Sequence, residues 1–246
     1  MSSGRAGIVV CLVLMAVGVL AAQNQQSSSS SSKHAKSSSA RLVPDVAAGT
    51  VANGVYRNRA LGLTCRIPAG WVLRTEEMNA REETESSTES SAVTTSKNPD
   101  FSQNQGEVGH PESPARATEE DRGRVLMAAF SRPPEARGED VNSSIVIAVE
   151  KVETYPGLKE AAQYFGPLTE VAKAQGFVVE EEPYEIQIGT KVVVRGDFHK
   201  DVGSRVMRQS TLAFLAQGYA VSITVIGGTE DEVEELIDGV GFGGKP

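Results

Sequence analysis

Cysteine is nearly absent: the 246-residue chain has two, Cys11 and Cys65. Cys11 lies in an apolar N-terminal run and Cys65 stands alone in the remainder. No disulfide framework, CxxC pair or zinc-ligand spacing can be assembled from them. Histidine is also sparse. His34, His110 and His199 are far apart, and the first two sit in polar low-complexity sequence. Neither a preformed His-based metal site nor any cofactor is expected. Basic charge is in deficit, with 24 Lys and Arg against 32 Asp and Glu, a net charge of −8. A general nucleic-acid binder needs a basic surface to displace counterions, and adsorption to anionic lipid needs one too, so neither is expected. Apolar residues make up 39% of the chain, low for a fully globular protein. At roughly 150 residues per domain, this length fits one domain plus extras, or two small domains.

The missing apolar content is local. Residues 1–22 read as an export signal. Arg5 supplies a positive start, Gly7 to Leu20 is uncharged and apolar, and Ala21-Ala22 closes the run. That is the order of a secretory signal peptide. Cleavage after Ala22 leaves Gln23 first, and cleavage after Ala21 is equivalent. Cys11 follows Val9 and Val10 rather than the small residue of a lipobox. The alternative is an uncleaved membrane anchor, but the apolar run falls short of the ~20 residues needed to span a bilayer. The expected location is therefore periplasmic or extracellular, with no membrane association beyond such an anchor.

Two stretches are too polar to fold. Gln23 to Ala40 is half serine, nine of 18 residues, and its largest apolar side chain is alanine. It cannot bury enough surface to offset its ordering entropy, so residues 23–48 are expected to form a disordered tether. Glu76 to Arg122 holds 12 acidic and 4 basic residues. Subtracting these from 32 and 24 leaves 20 of each sign elsewhere, so the whole net charge sits in this segment. A disordered acidic insert at 76–122 is expected within a single domain covering 49–246. Loop closure cost grows only logarithmically with length. A cation-binding or solvating role for this insert is a further reading.

The remaining sequence alternates. Strands are expected at Val55–Asn58, Leu61–Ile67, Trp71–Leu73, Arg124–Phe130 and Ser144–Val152. More are expected at Val178–Tyr184, Lys191–His199, Arg205–Leu215 and Tyr219–Ile226, joined by hairpin-length connections. In Ser144–Val152, the face carrying Glu150 is less apolar, which predicts a more exposed sheet face. Leu158 to Gln175 is helical by period, with a kink or break expected at Gly166-Pro167. Thr229 to Glu232 reads as a capping box opening a short helix, ended by Gly239 or Gly241. The fold class is α+β: a mostly antiparallel sheet of about six or seven strands with two to three helices packed on it.

Val55 to Trp71 (VYRNRALGLTCRIPAGW) resembles the opening of PsbP-like domains, a fold shared with the nuclear-transport protein Mog. The matching positions are Tyr56, Asn58, Leu61, Gly62, Ile67, Pro68, Gly70 and Trp71. A later helix ending Ala174 to Phe177, then Ile186 to Lys191, a long hairpin and a capped C-terminal helix are also similar. The resemblance spans Val51–Thr75 and Gly123–Phe242, and the acidic insert departs from the usual compact form. It implies an α/β/α sandwich and a non-catalytic accessory or binding module, with an unknown protein or small molecule as partner.

Chemical candidates are few. Arg195, Asp197 and His199 share one face of a strand at period two and form the candidate ligand or partner face. An Asp beside a His can orient an imidazole for base catalysis, which gives the alternative, a hydrolase-like enzyme. No catalytic residue is assigned, because neither Ser204 nor Ser210 is marked as activated. The simpler reading is a polar outer face with a cross-strand ion pair. Arg195-Gly196-Asp197 matches an adhesion triplet, but a strand interior does not present it as a loop. Gly239 to Lys245 resembles a phosphate loop in composition only, since no strand precedes it and no helix follows. Cys65 and Trp71 are expected in the core, and Asn142-Ser143-Ser144 is a glycosylation sequon.

Overall fold

Alternating apolar side chains and left-handed turns divide this chain into short antiparallel strands. The computed structural model describes residues 46, 48–80, 123–136, 138 and 140–243. The expected signal peptide, almost all of the tether and residues 81–122 of the insert lie outside these, as do His34 and His110.

The first half contributes β1 (Thr50–Ala52), β2 (Val55–Asn58), β3 (Leu63–Arg66), β4 (Val72–Leu73), β5 (Arg124–Phe130) and β6 (Ser144–Lys151). The second half contributes β7 (Val178–Val179), β8 (Tyr184–Ile188), β9 (Lys191–Val202), β10 (Arg205–Ala216), β11 (Tyr219–Gly227) and β12 (Val240–Phe242). Residues 75–80 form helix α1, followed by α2 (Ala161–Ala174) and α3 (Glu230–Asp238). Two sheets result, where one of six or seven strands was expected. The small sheet has the order β1-β2-β3-β12; the large one has the order β4-β5-β6-β11-β10-β9-β7, with β8 also paired to β9. Every ladder is antiparallel.

Turn chemistry sets the registers. Asn53 and Gly54, at φ 53° and 69°, join β1 to β2, and Gln217 and Gly218, at 55° and 81°, join β10 to β11. Left-handed pairs of this kind match the twist of the strands they connect.

The large sheet is covered on both faces. On one, Ile145, Ile147, Val221, Ile223, Leu212 and Phe214 pack with Tyr56, Leu63 and Cys65 of the small sheet and with Val233, Leu236 and Ile237 of α3. On the other, Val194, Phe198, Ala213 and Ala220 meet Tyr164, Phe165, Leu168 and Ala172 of α2. Further along that second face, Val125, Ala128, Phe130 and Val146 pack with Met78 of α1. The layers are therefore the small sheet with α3, then the large sheet, then α1 and α2.

Several expectations change. The Glu150 face is not exposed: Glu150 is 3% exposed, and its carboxylate accepts from the hydroxyls of Tyr155 and Tyr164. Helix α2 is not divided at Gly166-Pro167; Pro167 lies inside one helix. Gly166 has no Cβ to meet the proline ring, and buried Tyr164, Phe165, Leu168 and Ala172 hold the helix to the sheet on both sides of it. The start of α2 is fixed by Gln163, whose Oε1 accepts from the N–H groups of Lys159 and Glu160 at 2.8 and 3.2 Å. Val178–Tyr184 is not one strand: it holds the whole of β7, then residues 180–183 outside any strand, then the first residue of β8. Thr229 does cap α3, accepting from Glu232 N, but the Glu232 carboxylate reaches Gly228 N rather than the cap residue's own amide. The first residues of the expected insert, 76–80, belong to α1. Asn79 bonds both ways to the Val125 backbone, at 3.0 and 2.9 Å. Trp71 is half-buried against the core rather than within it.

Candidate functional site

Strand β9 alternates strictly. Val193, Arg195, Asp197 and His199 face the α3 side, while Val194, Gly196 and Phe198 face α2. Gly196 is glycine for a packing reason. A Cβ there would lie 2.5 Å from Phe165 Cε1, so α2 sits directly on the β9 backbone.

The alternation carries Arg195 and Asp197 under α3. The Arg195 Nε donates to both oxygens of Asp197 at 3.0 Å, and its Nη1 and Nη2 reach Glu234 of α3 at 3.2 and 2.5 Å. Asp197 also accepts from Ser210 Oγ at 2.6 Å and Tyr184 Oη at 3.0 Å. The register explains these neighbours: Ser210 stands opposite Asp197, and Tyr184 opposite Arg195. The set joins β8, β9, β10 and α3.

Its electrostatics favour internal closure. Burial works against the charge of Arg195, but hydrogen bonds to Glu234 and Asp197 outweigh it and hold the guanidinium more firmly protonated than usual. Burial, then the Asp197 charge, pushes the Tyr184 hydroxyl up to about 12. Asp197 is thus encircled by donors, with Arg195 and two hydroxyls taking its lone pairs. Ser210 is fully buried and spends its proton on Asp197. This arrangement clamps elements together and leaves Asp197 no geometry for orienting an imidazole.

His199 belongs to a separate group. Its Nδ1 is 3.3 Å from Glu180 Oε1, and the same oxygen accepts from Arg208 at 2.8 Å. Arg208 stands opposite His199 in the β9–β10 ladder. The structure therefore unites Arg195 with Asp197 and separates both from His199. Neither the expected open polar face nor the Asp-His pair is what forms. The Arg195-Gly196-Asp197 triplet is not presented, because both charged side chains are largely buried. Ser204 lies in the exposed β9–β10 turn. Gly239 to Phe242 is a helix cap running into β12.

Other candidates settle as core. Cys65 is fully buried, and burial pushes its thiol up to about 12. Asn142 of the sequon is engaged in the β5–β6 connection: its Oδ1 accepts from Ser131 Oγ and Arg132 N, and its Nδ2 donates to Arg132 O. Among the described residues, no group of three or more His, Cys, Asp or Glu could hold a metal ion. No described helix is long and apolar enough to cross a membrane.

Sequence reasoning missed Tyr184 and Glu234, which reach the site from other elements. It also missed two buried polar groups beneath α2. One is Glu150 with Tyr155 and Tyr164. The other is Gln209 with Thr211, both buried, which flank Ser210 in sequence but face away from the Asp197 cluster that Ser210 joins. A polar triplet inside an apolar strand was the available signal for the second.

No family model matches the chain, and no curated protein matches it. Among solved structures it is similar to LpqN, a protein involved in cell envelope biogenesis of Mycobacterium tuberculosis. The two are 13% identical with a TM-score of 0.28, over 53% of this chain and 80% of that one.

Proposed function

We propose that this chain is an exported accessory module of the cell envelope, built on a PsbP-like domain, that binds another protein or a small ligand without performing chemistry. The observation that supports this reading is the saturation of Asp197. The cluster that most resembles a catalytic constellation spends its acceptors on Arg195, Ser210 and Tyr184. A general base needs a lone pair facing the proton it abstracts. The export signal and tether support an envelope location, and the Val55–Trp71 pattern supports the family.

The test is a pull-down from envelope extract with the mature chain from Gln23. A second bait replaces residues 81–122 with a short Gly/Ser linker. The replacement begins at 81 because Asn79 and Met78 are part of the fold. A specific protein retained by both baits supports a binding module acting through its folded domain. Retention by the mature chain alone moves the function into the acidic segment. Hydrolysis of p-nitrophenyl acetate that disappears with His199→Gln, with no partner captured, overturns the proposal in favour of the hydrolase.

A further inference from the structure

A strand at the edge of a sheet presents a row of unpaired N–H and C=O groups, and proteins blunt such edges by keeping them short or covering them. Among the described residues, most edges of this fold are blunted. The edge strands β1 and β12 have 3 residues each, and β4 and β7 have 2 each. Where β5 runs on past β4, side chains take its backbone groups. Thr75 Oγ1 accepts from Ala128 N, and Asn79 bonds both ways to Val125. Strand β8 is different. It has 5 residues, holds neither proline nor lysine, and pairs with β9 alone.

Antiparallel geometry identifies its free groups. Ile188 stands opposite Lys191 across the two-residue turn Gly189-Thr190. Residues flanking such a turn form a hydrogen-bonded pair, and bonded positions alternate from there. Tyr184, Ile186 and Ile188 therefore turn their backbone groups to β9, and Glu185 and Gln187 turn theirs outward. The Glu180 N–H, which donates to Asp197 O at 2.9 Å, fits the same phase on β9. Among the described residues, nothing bonds to the outward groups of Glu185 and Gln187. On the α3 side, Ile186 and Ile188 touch the core yet stay half-buried, as does Tyr184. The edge is also held in place, since a Cβ on Gly189 would lie 2.7 Å from Phe242 O. A strand already fixed in extended form loses little freedom on pairing.

We infer that β8 is a self-pairing edge, which joins two copies of this chain about a two-fold axis at Ile186. One antiparallel register pairs all five residues. Tyr184 meets Ile188 of the second copy, Glu185 meets Gln187, and Ile186 meets Ile186. In this register outward groups face outward groups, and the two Glu185–Gln187 pairs supply the backbone hydrogen bonds of the new ladder. The α3 side of the joint then consists of aromatic–β-branched and β-branched pairs, which are favourable. On the other side each carboxylate faces an uncharged amide. Centring the axis on Glu185 instead sets two carboxylates opposite each other and puts Gln187 against Pro183, which has no N–H to give. The edge is thus complementary to itself in one register, which selects a second copy over an unrelated strand. A single strand pair buries less than the ~1,200–2,000 Å² of a standard stable interface, so the dimer is reversible and depends on concentration.

The test is sedimentation velocity of the exported chain from Gln23, from micromolar to near-millimolar concentration. Physiological salt screens charges farther apart than about 8 Å. The expected result is a reversible monomer–dimer equilibrium. Gln187→Pro removes an outward N–H that the monomer does not use, and should abolish the dimer while the dilute chain stays folded. Two charge variants report the register. Gln187→Lys faces Glu185 of the second copy and tightens the dimer, whereas Gln187→Glu weakens it, each about three-fold or more because two symmetry-related pairs change. A chain that is monomeric throughout overturns the inference. So does a dimer that Gln187→Pro leaves intact, or one that both charge variants shift in the same direction. If the proline variant does not fold, the opposite signs of the charge variants decide.

Discussion

Asp197→Asn separates a clamp from a catalytic aspartate. Asparagine keeps the shape but removes the charge that three donors address: Arg195 Nε, Ser210 Oγ and Tyr184 Oη. Hydrogen bonds to a charged group are worth about 1.5–3 kcal/mol, and neutral ones about 0.5–1.5. Three conversions therefore cost about 3 kcal/mol. Arg195 keeps Glu234, so its charge is not stranded and the cost stays below the upper end seen when buried pairs are broken. For a domain of this size, that lowers the melting temperature by about 6–12 °C. The assay is urea unfolding of the native chain, Asp197→Asn, Glu234→Gln and the double variant. A coupling of about 1 kcal/mol is expected between the two sites, because both act on one guanidinium. A variant within 0.5 kcal/mol of the native chain, or a cycle with no coupling, would falsify the clamp.

Three further outcomes follow. Gly196→Ala places a Cβ 2.5 Å from Phe165 Cε1 and should cost about 1–3 kcal/mol by overpacking; Phe165→Leu should recover part of that in the same background, and a loss that Phe165→Leu only deepens refutes the contact. The Cys65 thiol is ordinarily near 9 and is held at about 12 in the fold, so its contribution is complete below pH 9 and lost as pH rises towards 12, on the order of 4 kcal/mol. Cys65→Val should flatten that decline in the urea midpoint, leaving the part above pH 10 due to Tyr184 and Tyr56, both raised by burial; an unchanged slope refutes it. Gln209→Leu removes a buried unsatisfied acceptor and should raise stability by about 1 kcal/mol, whereas destabilisation would show the amide to be fully bonded.

Local periodicity made the central hairpins legible. Lys191–His199, Arg205–Leu215 and Tyr219–Ile226 were readable because each alternates between turn residues, and β9, β10 and β11 lie close to those bounds. Strand β12 was not readable, because three residues between glycines become a strand only by pairing with Cys65, Thr64 and Leu63. Asn53-Gly54 was a readable hairpin signal that the tether expectation stopped just short of. Glu150 misled because alternation records polarity and not what covers it; the tyrosines that bury it come from α2 and the turn before it. At the site, period two correctly placed Arg195 with Asp197. It also placed His199 with them, which failed because a strand face is divided by what packs over it. Helix α3 covers the Arg195 end, and Glu180 after β7 takes the His199 end.

Both faces of the large sheet bury a carboxylate, and on each it is matched from within. Removing a charge from water costs several kcal/mol, so buried charges persist only when paired and hydrogen-bonded. Facing α3, that condition is met internally, since Arg195 sits between Asp197 and Glu234. A charged ligand entering there would have to displace a partner already held at 2.5–3.0 Å. Facing α2, the Glu150 carboxylate is held by the hydroxyls of Tyr155 and Tyr164, and the other buried polar side chains, Gln209, Thr211 and Ser222, are uncharged. The buried charges of the α3 face therefore act as cross-links that hold β8, β9, β10 and α3 in place.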